Sequence, residues 1–375
     1  MDKPIKIYAE AVDGKALDQF YTAMKLDTIV QGALMPDTHA GYSLPIGAVV
    51  AADGVVYPSF VGYDIGCGMC ALPLAVDAEA VKTHAKAIFD ELYRVIPVGF
   101  KVNDEPSEGA TQLKLEDLSK EGRYVALGGD KPGRGWLYAL GSLGGGNHFI
   151  ELGVDETDTV WAVIHSGSRG IGHGLATHYM KLAANSRKAL EGSHGLRTDT
   201  DAGQAYVNDM QWGLQYALDN RLEMMRRIDQ VVHQATGTTG KSDFDQLINR
   251  NHNHATLRDG LWLHRKGATH AEDGMLGVIP GNMRDGSFIV RGKGNPDSLY
   301  SSSHGAGRVL GRKEAKRQLN MADFKDSMAG VVARIEEGTL DESPFAYKDV
   351  FEVMRLQADL VDTLYHIKPL INIKG

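Results

Sequence analysis

The chain has 375 residues, of which 43% are hydrophobic, and its formal net charge is −8. This length and apolar content are sufficient for a large buried core. The acidic balance argues mildly against a nucleic-acid partner, because contacts to phosphates normally need a basic surface. The sequence shows no secretory signal, no apolar run long enough to cross a membrane, and only two cysteines, Cys67 and Cys70. We therefore expect a cytoplasmic protein with reduced thiols and no membrane association.

The hydrophobic pattern predicts a mixture of strands and helices. Strands joined by tight turns are predicted where short apolar runs alternate with Gly, Pro and Asp, in residues 1–77, 260–289 and 370–375. Helical spacing of apolar residues occurs in segments 78–96, 202–234, 312–336 and 348–366. The chain has no internal repeat and no linker-like tract, and its chemically notable residues extend from residue 37 to residue 374. A single domain over residues 1–375 is therefore expected.

The first chemically notable segment is a Gly-rich turn that contains Asp64 and Cys67. A carboxylate and a thiolate at this spacing could converge on one metal ion. The alternative is a turn-capping Asp beside an inert buried Cys, and the pair Cys67 and Cys70 could also indicate redox chemistry. No βαβ pattern follows to support the redox reading, and two cysteines are too few for a four-cysteine zinc site.

Histidines flanked by glycines strengthen the metal hypothesis. His148 follows a GGGN run, His165 ends an apolar strand, and His252 lies in the segment NRNHNHAT. Such histidines add little to a core and are well placed to face a cleft, although each one alone is more often a structural residue. Together with Asp64 and Cys67 they could bind one or two divalent metals. His39 remains a further candidate ligand.

A third segment combines a nucleophile with groups that bind phosphate. His304 is followed by Gly-Ala-Gly-Arg, which offers an imidazole, accessible backbone N–H groups and the Arg308 guanidinium. The alternative is a glycine-rich surface loop. Neither a Walker-type phosphate loop nor the kinase motifs occur in the sequence. A basic cluster continues from this segment and is either a phosphate-binding surface or a solvated helix face: Arg308, Arg312, Lys313, Lys316 and Arg317.

Together with their flanking motifs, these segments resemble the RtcB family of RNA ligases. The matching motifs occur in family order and cover nearly the whole chain: PDTHAGYSLPIGAV, VGYDIGCGM, GSLGGGNHFIE, HSGSRG, HNHA, RKGA, IPGNM, SFIVRGKGNPDSLYSSSHGAGR, PFAYKDV and the terminal KG. Many consecutive motifs form a far more specific match than one glycine fingerprint. The resemblance implies a compact α+β fold, with mixed strands and helices around a central metal cleft.

The resemblance also implies a two-metal site and a histidine nucleophile. Two manganese ions would share the Cys67 thiolate, and the remaining ligands would be Asp64 and His148 at one ion and His165 and His252 at the other. His304 would take GMP from GTP. Two further residues would assist this chemistry, namely Asp37, which orients the His304 ring, and Arg308.

A guanylate pocket is implied around His304. The resemblance assigns to it residues Asn147, His148, Phe149, Ile150, Glu151, His252, Asn253, Pro280, Gly281, Asn282, Met283, Ser287, His304, Gly305, Ala306, Gly307, Tyr347 and Lys374. The implied reaction joins an RNA 3′-phosphate or 2′,3′-cyclic phosphate end to a 5′-hydroxyl end through a GMP–histidine intermediate and an RNA–ppG end. The expected partner is therefore RNA, and the protein is expected to be a monomer. The alternatives are a metal-dependent cyclic phosphodiesterase that does not seal RNA and a non-catalytic protein that binds RNA ends.

The chain departs from the family pattern beside the predicted pocket. The family has Pro-Gly-Ser-Met-Gly where this chain has Asn282 in place of Ser and Arg284 in place of Gly. A glycine there would let the backbone approach the nucleotide closely, whereas an arginine brings a charge and five donors. We expect Arg284 to face the pocket. This departure, together with a short chain, favours a divergent repair paralogue.

Overall fold

The computed structural model describes residues 3–107, 111–128 and 135–375. Its α-helices are α1 Gly14–Met24, α2 Pro58–Val61, α3 Ala78–Val95, α4 Lys120–Ala126, α5 Trp136–Ala139, α6 Arg169–Ala183, α7 Asp201–Thr236, α8 Arg312–Gln318, α9 Met321–Ser327 and α10 Val350–Leu356. Its strands are β1 Ile5–Ile7, β2 Ile29–Tyr42, β3 Leu44–Asp53, β4 Val55–Val56, β5 Gly68–Leu74, β6 Phe149–Val154, β7 Val160–Ser166, β8 Leu196–Arg197, β9 Ile248–Asn251, β10 Asn253–Arg258, β11 Leu261–Lys266, β12 Ala268–His270, β13 Leu276–Pro280, β14 Ser287–Gly292, β15 Ser301–Ser303, β16 Val332–Ala333 and β17 Val361–Lys374. Short 3₁₀ turns are Leu115–Asp117, Phe244–Gln246, Pro296–Ser298, Glu337–Glu342 and Pro344–Ala346.

Two sheets organise these elements. The larger sheet has the strand order β13-β14-β17-β6-β7-β5-β9, with β16 added beside β17, and the smaller has the order β1-β2-β3-β11-β10. Strand β13 at one end of the larger sheet packs against β5 and β9 at the other end, which gives that sheet a barrel-like curvature. The α+β fold class expected from the sequence is therefore confirmed.

The two sheets adjoin where the chain passes directly from a strand of one sheet into a strand of the other. Strand β9 of the larger sheet leads through the single residue His252 into β10 of the smaller sheet. Strand β15, which pairs with β12, packs against β2 of the smaller sheet and ends immediately before His304. The predicted metal ligands and the predicted nucleophile are therefore brought together at this junction.

The two long predicted helices are confirmed. Helix α7 begins after Thr200, whose side chain accepts a hydrogen bond from the N–H of Gly203, and it ends at Gly237 in the left-handed conformation. Asp77 caps α3 in the same way, and α3 stops shortly before Pro97. Helix α7 packs against β5, β7 and β9, so it lies directly behind the strands that carry the predicted ligands.

Other predictions of local structure were wrong in part. The segment 1–77, which was predicted to form strands, contains the helix α1. This amphipathic helix begins after the cap Asp13 and buries Phe20 and Met24. Residues 1 and 2 of the segment lie outside the described residues. The predicted helix of residues 312–336 is divided into α8, α9 and β16. The predicted helix of residues 348–366 ends at Leu356, because the chain from Val361 joins the larger sheet as β17. In that strand, pairing with β14 and β6 outweighs the helical spacing of its apolar residues. None of the described helices is long and apolar enough to span a bilayer.

Candidate functional site

The predicted metal ligands converge because they lie at the same end of neighbouring strands in the larger sheet. His165 is in β7, which pairs with β5 on one side and with β6 on the other. Cys67 immediately precedes β5, His148 immediately precedes β6, and His252 follows β9, the other neighbour of β5. The main-chain N–H of His252 donates to the carbonyl of Cys67 over 2.7 Å. Strand pairing thus brings these side chains to a common point.

The ligand atoms form two groups that share one sulfur. Cys67 Sγ lies 3.2 Å from Nε2 of His165 and 3.5 Å from Nε2 of His148. Nε2 of His165 lies 3.3 Å from Nε2 of His252, and Nε2 of His148 lies 3.0 Å from Oδ2 of Asp64. Within each group the ligand atoms are within 4.8 Å of one another: Cys67, His165 and His252 in one, and Asp64, Cys67 and His148 in the other. The arrangement suits two ions with a bridging thiolate.

The surrounding hydrogen bonds also suit metal binding. Nδ1 of His148 donates to the carbonyl of Leu143 over 3.0 Å, and Nδ1 of His165 donates to the carbonyl of Asn147 over 3.2 Å. A carbonyl can only accept, so both rings keep a lone pair on Nε2, the atom that faces Cys67. Burial lowers the pKa of His165 well below its usual value, and it raises the pKa of the Cys67 thiol. The imidazoles are thus ready to bind a cation, and a cation would stabilise the buried thiolate.

A buried arginine supports the segments that carry the ligands. Arg221, on α7, is fully buried and donates through Nη1 to the carbonyls of Gly66 and Ser166 over 2.9 and 2.8 Å. Its Nε and Nη2 bind the side-chain oxygens of Asn249 and Asn251 over 2.7 and 2.6 Å. Three of these partners are sequence neighbours of metal-ligand candidates. Sequence reasoning missed this role, because Arg221 lies in an ordinary helical pattern.

A cavity of about 300 Å³ adjoins the ligand groups. His304 lines it, and Nδ1 of His304 donates to Oδ2 of Asp37 over 2.7 Å. The expected pairing of Asp37 with His304 is thus present. Asp37 is fully buried, and Gly307 makes this possible, because a Cβ at that position (φ +77°) would lie 2.3 Å from the Asp37 carbonyl oxygen. The His304 ring lies 4.8 Å from the ring of His252, so the predicted nucleophile adjoins the metal-ligand groups.

Most residues of the predicted guanylate pocket line this cavity. They are Asn147, Phe149, Glu151, Pro280, Gly281, Asn282, Met283, His304, Gly305, Ala306, Gly307 and Tyr347, together with Lys374. His148 and His252 instead lie in the ligand groups, and Asn253 supports them by donating to the carbonyl of Asp64 over 3.2 Å. The cavity also contains residues that sequence reasoning had not assigned to the pocket: His39, Ile46, His165, Arg308, Arg312 and Asn372.

Two predicted pocket positions need correction. The side chain of Ile150 is fully buried in an apolar cluster, because successive residues of β6 face opposite sides and Phe149 and Glu151 take the cavity side. Arg284 does not line the cavity. Its side chain is 43% exposed, and its guanidinium binds Asp285 through two hydrogen bonds of 2.7 and 2.9 Å. The local ion pair therefore holds Arg284 at the surface.

One end of the cavity has unsatisfied polar groups. Among the described residues, Oε1 of Glu151 and Oδ1 of Asn372, which line the cavity, are buried without a hydrogen-bond partner, and so is the hydroxyl of Ser287, which does not line it. Burial raises the pKa of Glu151 to about 8. Lys374 lies beside this group, with Nζ 4.9 Å from the centre of the Phe149 ring. Buried polar atoms without partners are costly, so this end of the cavity is suited to a polar ligand.

The basic cluster is largely paired within the protein. Glu342 accepts from Arg308, Arg312 and Lys374 over 3.3, 2.7 and 2.7 Å, and Lys316 lies 3.3 Å from Asp341. Burial raises the pKa of Glu342, but Lys374 and Arg312 outweigh this effect and hold the pKa at about 2. Arg308 also donates to the Tyr347 hydroxyl over 3.1 Å. Arg308 and Arg312 are thus fixed at the cavity wall, whereas Lys313, Lys316 and Arg317 are exposed on α8, as the solvated-helix interpretation predicts.

Comparison with known proteins agrees with this geometry. The family described as "tRNA-splicing ligase RtcB" matches residues 19–375. The chain is 33% identical over 401 residues to the "RNA-splicing ligase RtcB" of Escherichia coli strain K12, covering 99% of this chain and 97% of the relative. It is 32% identical over 423 residues to that of Mycobacterium tuberculosis (91% and 96% covered) and 29% identical over 469 residues to the "tRNA-splicing ligase RtcB" of Pyrobaculum aerophilum (99% and 95% covered). The chain belongs to the RtcB family.

Proposed function

We propose that this protein is an RNA ligase that uses GTP and two manganese ions to join a 3′-phosphate or 2′,3′-cyclic phosphate RNA end to a 5′-hydroxyl end. Its relatives are named RNA-splicing and tRNA-splicing ligases, which supports RNA as the substrate and ligation as the reaction. The observation that carries the proposal is the single cavity that connects a cysteine-bridged metal-ligand set to an oriented histidine and to an unsatisfied polar end.

The metal part of the proposal rests on the donor set. One ion would be held by Asp64, Cys67 and His148, and the other by Cys67, His165 and His252. Imidazole and thiolate donors also suit zinc, iron and cobalt, so the choice of manganese rests on the family resemblance. The bound ions would supply positive charge that stabilises the charge developing on phosphate oxygens.

His304 is suited to attack the α-phosphorus of GTP. Its Nδ1 proton is held by the Asp37 carboxylate, so the lone pair of the neutral ring is on Nε2. Attack by Nε2 forms a P–N bond and breaks the bond to pyrophosphate, which leaves GMP on the histidine. An RNA 3′-phosphate oxygen then takes GMP from His304 to give RNA–ppG. Attack by a 5′-hydroxyl forms the phosphodiester and releases GMP.

The unsatisfied end of the cavity is complementary to guanine. The base presents N1–H and an exocyclic amino group as donors and O6 as an acceptor. The Glu151 carboxylate could accept from the donors, and the Lys374 ammonium could donate to O6. Adenine presents an amino donor in place of O6 and an acceptor in place of N1–H, so it would be mismatched to Lys374 and Glu151. This pairing supports GTP as the nucleotide in preference to ATP.

Incubation with α-labelled GTP and Mn²⁺ tests this proposal. We expect label on the wild-type protein in a bond that acid cleaves and hydroxide does not, as for a phosphoramidate. The variant His304→Ala should take up no label, yet it should still seal RNA supplied as RNA–ppG, because that step does not need the nucleophile. Label on His304→Ala at the wild-type level would contradict the assignment of the nucleophile. The variant His178→Ala, changed on helix α6 at a residue that does not line the cavity, is the matched control.

The same assay distinguishes the alternatives. A cyclic phosphodiesterase that does not seal would open a 2′,3′-cyclic phosphate without labelling the protein. A protein that only binds RNA ends would do neither. Labelled protein together with a sealed RNA product is the result that our proposal predicts.

A further inference from the structure

A second histidine in the cavity has no role in the proposed steps. His39, near the end of β2, lines the cavity together with His304. Nδ1 of His39 donates to the main-chain carbonyl of Asp37 over 2.9 Å, whereas Nδ1 of His304 donates to the carboxylate of the same residue. Asp37 therefore orients two imidazoles that face one cavity. The sequence marked His39 only as a further candidate metal ligand, and it is in neither ligand group.

The contact to Asp37 determines the tautomer of His39. Because a carbonyl oxygen only accepts, the proton is on Nδ1 and the lone pair of the neutral ring is on Nε2. Burial lowers the pKa of His39, the contact with Asp37 opposes this effect, and the nearby Lys348 adds to it. The ring is therefore neutral near pH 7, and its Nε2 is free to take a proton.

The sealing step requires such a group. The attacking 5′-hydroxyl must lose its proton as its oxygen bonds to phosphorus. The lone pairs of His148 and His165 face the thiol of Cys67, and Glu151 lies with Lys374 at the polar end of the cavity. Among the described residues that line the cavity, His39 is the imidazole that is in neither ligand group and is not the proposed nucleophile.

We propose that His39 is the general base of the sealing step, with Nε2 accepting the proton of the 5′-hydroxyl. The hydroxyl oxygen forms a bond to the phosphorus of the RNA 3′-phosphate, the bond from that phosphorus to the bridging oxygen of RNA–ppG breaks, and GMP departs with the electron pair. The proton remains on His39 until solvent removes it. This inference rests on the proposed ligase function.

Single-turnover assays with two substitutions test the role of His39. His39→Ala removes the ring, and His39→Asn keeps an amide that can donate to the Asp37 carbonyl but cannot accept the proton. Both variants should form the GMP adduct within about threefold of the wild-type rate. Both should seal preformed RNA–ppG to a 5′-hydroxyl RNA at least about 100-fold more slowly, the usual scale for loss of a general base. Added imidazole should restore at least about tenfold of this rate to His39→Ala.

Each other outcome has a definite meaning. Wild-type sealing by His39→Asn would show that only the hydrogen bond to Asp37 matters and would overturn the proposal. Equal loss of adduct formation and sealing would overturn it too, because His39 would then act through the orientation of His304. Failure of imidazole to restore sealing to His39→Ala would argue against proton transfer. A wild-type protein that forms the adduct but seals no RNA would refute the ligase function itself.

Discussion

Replacement of Arg221 tests how the fold positions the metal centre. Arg221→Met keeps most of the side-chain volume and removes the guanidinium that binds the carbonyls of Gly66 and Ser166 and the side chains of Asn249 and Asn251. In the described part of the chain, no carboxylate lies within hydrogen-bond distance of this guanidinium. We therefore expect the variant to fold with a less stable native state and a disturbed ligand geometry.

The magnitude follows from these four hydrogen bonds. A hydrogen bond to a charged group contributes about 1.5–3 kcal/mol, and each buried carbonyl left without a donor costs about 1–3 kcal/mol. Methionine offsets part of this loss, because it removes a buried cation and fills the space. A net destabilisation of about 3–5 kcal/mol is therefore expected, at the high end for a single substitution because a buried hydrogen-bond network is broken. At about 2.1 cal/mol/K per residue over 375 residues, the melting temperature falls by roughly 4–6 °C.

Metal binding distinguishes positioning from general stability. Titration with Co²⁺, followed by thiolate-to-metal absorption, should show affinity about 10–100-fold lower in Arg221→Met, the usual effect of losing a group that orients ligands. Arg227→Met is the matched control. Arg227 lies on the same helix, but its donors bind Glu223, Asn103 and the carbonyls of Val95 and Gly141 instead of the ligand segments. Wild-type Co²⁺ affinity in Arg221→Met, or equal losses in both variants, would refute the reasoning.

Three further predictions concern the cavity and its surroundings. Cys67→Ala should abolish adduct formation because both ligand groups lose the shared sulfur, whereas Cys70→Ala should remain active; equal losses in two folded variants would contradict this. Arg284→Gly should form the adduct at the wild-type rate at low and high salt, because its exposed ion pair contributes at most about 1 kcal/mol; a salt-dependent loss would place Arg284 at the ligand. In calorimetry, GTP should bind more weakly at pH 6.5 than at pH 8. The reason is that GTP binding favours the carboxylate form of Glu151, whose pKa is about 8 in the free protein. The variant Glu151→Gln should bind GTP equally well at both pH values.

Much of the site could be predicted because its chemistry is local in sequence. Gly-rich turns carried Cys67, His148 and His304, and each of these residues lies at the predicted cleft. The motif match then grouped residues that β-strand pairing brings together. The alternation of β6 was also visible in the sequence, so the burial of Ile150 could have been predicted from the period of a strand.

Other features depend on contacts that one sequence does not reveal. Arg221 lies in a regular helix, and its role depends on where α7 crosses the strands. Arg284 and its partner Asp285 are adjacent in sequence, but the motif comparison drew attention to the lost glycine and not to this ion pair. Residues from Val361 had helical spacing, yet two neighbouring strands determine their structure. Tertiary contacts, not local propensity, therefore decided the role of Arg221 and the structure of β17.

The origin of the phosphate at a sealed RNA junction tests the central claim most directly. An RNA labelled at its terminal 3′-phosphate would be incubated with a 5′-hydroxyl RNA, GTP, Mn²⁺ and the protein, and the product would be digested to nucleotides. Our account predicts a GTP-dependent product that retains the label in the junction phosphodiester, and no product with Cys67→Ala. Release of the label as free phosphate, or sealing that proceeds without GTP, would contradict it.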